Sequence, residues 1–141
     1  MAEVKAARYV NLVPAKKTVI GSKVTNQQNE DLGKIEDLVF DLASGRIAYA
    51  VLSFGGFLGM GDKYFAIPWE AFRFNVSDRR AVLNVDRALL ESAPGFNHDS
   101  WPNMADITWG NQICSHYGYK PHWEEPPIGT SRERFIRSAV R

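Results

Sequence analysis

Between residues 18 and 85 short apolar runs alternate with polar, turn-forming clusters, and the spacing predicts strands over 18–25, 32–41, 46–54, 64–67, 72–76 and 81–85. Asn26-Gln27-Gln28-Asn29-Glu30-Asp31, Leu42-Ala43-Ser44-Gly45 and Ser77-Asp78-Arg79-Arg80 supply the turns, with Gly45 free to take the left-handed conformation a tight hairpin requires. No long helical period interrupts this stretch. It therefore predicts a mainly β domain, an antiparallel sheet of about six strands closing into a barrel or sandwich. The third strand is apolar on both parities: Ile47, Tyr49 and Val51 on one, Ala48, Ala50, Leu52 and Phe54 on the other. One face belongs to the interior, so the other must meet a helix, the C-terminal extension or another subunit.

The pattern changes after residue 85. Asp86 is placed to cap a short helix through residue 92, and Pro94-Gly95 ends it. Trp101, Trp109, Tyr117, Tyr119 and Trp123 then crowd a short extension. Within it, residues 106–117 predict a helix with Trp109, Ile113 and Tyr117 on one stripe and Gly118 as its stop, strapped onto the sheet. Glu124-Glu125-Pro126-Pro127 reads as an extended linker. Arg132, Arg134, Arg137 and Arg141 surround Phe135, Ile136 and Val140 in a tail, either a basic amphipathic helix or a frayed end, since so short a helix is marginal alone. The expected organisation is an N-terminal arm (1–17), a barrel domain (18–95), an aromatic helical extension (96–123), and a linker with a basic tail (124–141).

With 141 residues the chain has room for one compact domain plus extensions. Seventeen basic and sixteen acidic side chains leave a formal charge of +1, so there is no long-range field to gather a polyanion, and nucleic acid is not the first expected partner. Cys114 is the only cysteine, which excludes an internal disulfide and a four-cysteine zinc site and points to a reducing compartment. Residues 1–17 lack the continuous apolar stretch of a signal peptide, and no window reaches the length needed to span a bilayer as a helix. The expectation is a cytoplasmic protein without membrane insertion.

Three segments together resemble the PRC-barrel family: residues 32–41, from Leu32-Gly33-Lys34-Ile35 to Phe40-Asp41; residues 44–59, from Ser44-Gly45-Arg46-Ile47 to Phe57-Leu58-Gly59; and Phe65-Ala66-Ile67-Pro68-Trp69. The likeness covers residues 18–95 and extends into the Trp101-Pro102 and Tyr117-Gly118 segments, which are similar to the tail of stand-alone bacterial members. It implies the small barrel shared by the cytoplasmic domain of the photosynthetic reaction-centre H subunit and the C-terminal half of RimM-type ribosome maturation factors. It also implies a habit of binding proteins. The H subunit's transmembrane helix and the maturation factor's N-terminal domain have no counterpart among these residues, so neither photosynthesis nor ribosome assembly is carried over with the fold.

The candidate chemistry is sparse. Residues 55–63, Gly55-Gly56-Phe57-Leu58-Gly59-Met60-Gly61-Asp62-Lys63, lack the Gly-Lys-Ser/Thr ending of a phosphate loop and precede a strand rather than a helix. Either the loop folds Phe57, Leu58 and Met60 back on the barrel, or it projects them as a contact patch at about 1.5–3 kcal/mol for each side chain buried. Cys114 and His116 are two apart and point to different sides of a helix, and His98, His116 and His122 match no zinc-ligand spacing. Asp37 shares parity with Ile35 and Val39, which requires either a bulge or a partner such as Arg46. No catalytic, cofactor or metal site is expected. The leading function is a non-enzymatic interaction module binding a protein partner or a second copy as a homodimer, with Tyr49, Phe54, Phe57, Leu58, Met60, Arg134, Phe135 and Arg137 as contact candidates. An RNA- or ribosome-associated factor is the alternative, followed by a role beside photosynthetic electron transport, with an enzyme last.

Overall fold

The computed structural model describes residues 12–54 and 63–124. Six strands, β1 (Lys23–Thr25), β2 (Asp31–Asp41), β3 (Arg46–Phe54), β4 (Lys63–Pro68), β5 (Phe72–Asn75) and β6 (Arg80–Leu83), form one sheet in the order β4-β3-β2-β1-β6-β5. The sheet curls into a half-barrel around Val24, Leu32, Ile35, Leu52, Phe65, Ile67 and Leu83, all buried. β1 and β2, β2 and β3, β3 and β4, and β5 and β6 pair antiparallel, while β4 and β5 stand at opposite edges. β1, however, runs parallel to β6, with Lys23, Val24 and Thr25 opposite Arg80, Ala81 and Val82. Alternation assigns side chains to faces but does not say which non-consecutive strands meet. This seam between the first and last strands takes its direction from the chain path.

The first expected strand is shorter than its sequence implies. Residues Ala15–Val19 instead wind into a π-helical turn, in which the Ile20 N–H donates to the Ala15 carbonyl at 2.8 Å. The β-branched run Thr18-Val19-Ile20 favours a strand locally, yet Val19 is used to plug the core, and packing overrides propensity here. β2 and β3 form the expected hairpin through residues 42–45, with Gly45 at φ 77°. The parity conflict at Asp37 is resolved by a bulge: Ile35 faces Leu52 and Asp37 faces Val51, leaving Glu36 as the extra residue. Asp37 is exposed, and its carboxylate accepts from the Leu38 N–H at 2.8 Å.

Two helices follow the sheet. α1 (Arg87–Glu91) starts where the Asp86 carboxylate accepts from the Leu89 N–H at 2.8 Å, and it buries Leu90 in the core. α2 (Ile107–Tyr117) is capped by Asp106, which accepts from the Thr108 N–H at 2.9 Å, and is stopped by left-handed Gly118. Its buried stripe is Gly110, Ile113, Cys114 and Tyr117, while Trp109 stands at the margin rather than the centre. Asp106→Ala removes the cap and is expected to lower stability by about 1 kcal/mol, read as a shift of the urea midpoint without a change in slope.

The extension covers the outer side of β3 and β4. Tyr49, Val51 and Ser53 lie opposite Pro68, Ala66 and Tyr64, and this face is capped by aromatic edges. Trp109 meets Tyr49 at 5.3 Å between ring centres, and Phe96 and Trp101 meet Tyr64 at 6.0 and 6.1 Å. Phe96 also exchanges both backbone hydrogen bonds with Tyr64, closing that sheet edge locally. The second apolar face of β3 is thus covered by this chain itself, and the expectation that another subunit lies there is corrected.

Candidate functional site

The cover stops at the β2–β3 hairpin. Where the hairpin leaves the sheet, Phe40, Leu42 and Ala48 form one wall of a groove of about 400 Å3, and Met104, Ile107 and Trp123 form the other. The bulk of its apolar surface faces outward. Phe40 is 50% exposed, Leu42 92%, Ile107 58% and Trp123 38%, and together they make a contiguous patch rather than scattered single residues. Among the described residues the buried hydrophobic side chains form a core without them.

Polar groups sit at one end. His122 Nε2 lies 3.3 Å from Asp41 Oδ2, tying the C-terminal rim to the end of β2. The Asp41 carboxylate also accepts from the Ala43 N–H at 3.0 Å. That amide holds the carboxyl below its usual range against partial burial, with Ser44 and then His122 adding to the same direction. Tyr49 forms the floor, its ring edge-on to His122 at 6.2 Å. The buried Tyr49 hydroxyl and His122 Nδ1 have no hydrogen-bond partner among the described residues. Burial raises the pKa of the Tyr49 phenol well above its ordinary value, and the neighbouring Cys114 thiol adds to this.

Gly110 sets the position of the rim. A β-carbon there would stand 2.7 and 2.9 Å from two Trp123 ring carbons and 3.1 Å from the Tyr49 oxygen, so the indole seats directly on bare helix backbone. Gly110→Ala is expected to displace Trp123 with little loss of stability, because the ring is the free end of a side chain. A red shift of tryptophan emission at an unchanged urea midpoint would show this.

The sequence-derived candidates fall differently. Tyr49 is 2% exposed under the extension, and Phe54 is 3% exposed with the Arg87 guanidinium 4.9 Å over its ring. As contact residues they are corrected: in this fold both are consumed by internal packing. Phe57, Leu58 and Met60, like Arg134, Phe135 and Arg137, lie outside the described residues. His116 Nε2 is 2.9 Å from the Leu89 carbonyl and joins α2 to α1, while the His98 ring lies 6.4 Å from that of Tyr64. The three histidines do not converge, and among the described residues no group of three or more His, Cys, Asp or Glu is arranged to hold a metal. Among the same residues no helix is long and apolar enough to cross a membrane.

Cys114 is buried against the sheet, and burial pushes its thiol up against the opposing pull of the Tyr49 hydroxyl, with Glu70 and Glu124 adding to the rise. It is expected to resist a colourimetric thiol reagent at neutral pH and to react only as the protein unfolds. Rapid labelling of the folded protein would place the thiol at the surface.

Sequence reasoning missed Phe40, Leu42, Ile107 and Trp123. One signal was available: Leu42 is a large apolar residue in a four-residue turn, a position that normally takes a polar side chain. The comparison with curated proteins gave no match. The comparison with family models did: residues 15–90, more than half of the chain, match the PRC-barrel domain. The six-stranded half-barrel has the corresponding architecture, and the chain belongs to the PRC-barrel family.

Proposed function

We propose that this protein is a non-enzymatic interaction module that docks proteins through the groove beside the β2–β3 hairpin, and that its first partner is a second copy of itself. The observation that carries this reading is the adjacency of a knob and a hole. Leu42, almost fully exposed, projects from the hairpin at the mouth of an apolar groove on the same face. A two-fold axis through that face sets each Leu42 into the groove of the other copy, which makes the contact self-complementary. Family membership supports a protein-binding role, and the single buried thiol is at home in a reducing, cytoplasmic setting.

The strength follows from magnitude. Phe40, Ile107 and Trp123 are already partly buried and Leu42 is almost fully exposed, so each adds at most about 1.5–3 kcal/mol on full burial. Association itself costs about 4 kcal/mol or more. The expected outcome is a dimer at tens of micromolar. Leu42→Asp places a charge in the contact and is expected to give a monomer with an unchanged circular dichroism spectrum, since the side chain supports nothing in the core. Light scattering over a concentration series decides the matter. A wild type that stays monomeric at tens of micromolar, or a variant that stays dimeric, would remove the groove as a self-association site. Leu58→Asp in the glycine-rich loop is the parallel test of the loop as a contact.

A further inference from the structure

The two edges of the half-barrel are not alike. The β4 edge is met by Phe96, which exchanges both backbone hydrogen bonds with Tyr64 at 2.9 Å. On β5, at the other edge, the Phe72 N–H turns back to the Trp69 carbonyl, and among the described residues no other backbone bond is made on the side away from β6. A strand edge with unused donors and acceptors is a template for one more strand.

The face beside this edge is cationic. In register, Asn75 lies opposite Arg80, Arg80 beside Lys23, and Lys23 opposite Lys34, so three cations stand in one row across neighbouring strands. Arg73 lies in the next row, opposite Val82, and all four cations are exposed. Arg73 and Arg80 line a shallow depression of about 370 Å3 together with Asp78, Asn75, Gln27 and Asn29. Val82, 37% exposed, sits between Arg73 and Thr25. Carboxylates stand near Arg73: Asp78 lines the same depression and accepts from Asn75 Nδ2 at 3.0 Å, Glu70 shares a smaller pocket with Arg73, and Asp31 ends its row, whereas the row of Arg80, Lys23 and Lys34 holds no carboxylate. Among the described residues, none of the four cations has an ion pair.

We propose that the free edge of β5 takes up an acidic segment of another protein in extended conformation, adding it as a further strand with its carboxylates against Arg73 and Arg80. Charge decides against a second copy, because laying one β5 on another brings the same guanidiniums together. It also favours a peptide over a nucleic acid strand, since among the described residues this face offers no exposed aromatic ring on which bases could stack. This extends the interaction-module reading to a second surface, separate from the groove.

The test uses the full chain and a fluorescent peptide of about eight residues alternating glutamate and valine, long enough to cover a short strand. Anisotropy is expected to show binding that weakens several-fold between low salt and about 0.5 M, where screening lengths fall below the spacing of the charges. Arg73→Glu is expected to weaken it about tenfold or more, with circular dichroism confirming the fold. Methylating alternate backbone nitrogens of the peptide removes the donors a new strand needs and is expected to abolish binding. Leu42→Asp is expected to leave it unchanged, so failure here and failure at the groove are distinguishable. The proposal is overturned if the peptide does not bind at about 1 mM, the weak limit of specific recognition. It is equally overturned if the methylated or an alternating lysine–valine peptide binds as well, or if an oligouridylate binds tighter than the acidic peptide with the same Arg73 dependence.

Discussion

Gly33→Ala is expected to cost the protein at least about 3 kcal/mol, more than any surface change, although the substitution adds one methyl group in a strand. Gly33 holds φ at 111°, a conformation that L side chains rarely adopt. Its missing β-carbon would lie 2.0 Å from the Ser53 carbonyl oxygen and 3.2 Å from the Phe54 α-carbon. Those atoms are backbone of β3 and cannot swing aside. β3 is in turn pinned by β4 and by the Phe54–Phe65 ring contact, so relief would require separating β2 from β3 in the core of the sheet. Gly45→Ala supplies the control. It carries φ 77° but nothing within 4 Å of an added β-carbon, so only the conformational penalty of about 1–2 kcal/mol is expected. Urea midpoints of the two variants separate the effects. Equal losses would mean that close approach of the two strands is not the constraint at Gly33.

This contrast also marks what the sequence could disclose. Gly45 stands among turn residues and announces its role; Gly33 lies inside a strand of alternating apolar and charged residues, and the strand that crosses it is twenty residues away. The same distinction runs through the fold. β3 was legible to the residue, because its alternation and flanking turns are local, and α2 was legible from Asp106 and Gly118 at its ends. The π-helical turn at Ala15–Val19 was not, because three β-branched residues favour a strand until Val19 finds the open end of a core built elsewhere. The candidate groove was less legible still. Its walls come from residues 40–48 and 104–123; Phe40 reads as an ordinary strand residue, and the apolar Leu42 in its turn gains a meaning only when the extension is seen to stop short of it. Tyr49 failed as a contact candidate for the converse reason: an apolar outer face is the same sequence pattern whether the chain's own extension or a partner covers it.

That cover should be integral to stability, and Ile113→Ala is the substitution that measures it. Ile113 is 1% exposed in the middle of the buried stripe of α2, which packs on the outer face of β4. Removing its outer carbons leaves a void between helix and sheet that neither rigid element can close, and the expected loss is about 3 kcal/mol, within the range for such truncations. Trp109→Ala should cost less despite its larger ring, because that indole is only half-buried at the margin and meets Tyr49 by one edge. The pathway of unfolding is the sharper readout. Val51 and Ala66 lie almost wholly buried on the face that α2 protects, so losing the helix exposes the sheet's own apolar surface. The tryptophan-rich extension, followed by near-ultraviolet circular dichroism, and the sheet, followed in the far ultraviolet, are therefore expected to melt together in both wild type and Ile113→Ala. Two separated transitions, or a loss below about 1 kcal/mol, would show the extension to be a detachable appendage. The groove would then open with it, since Ile107 on α2 and Trp123, seated on Gly110, depend on the same helix.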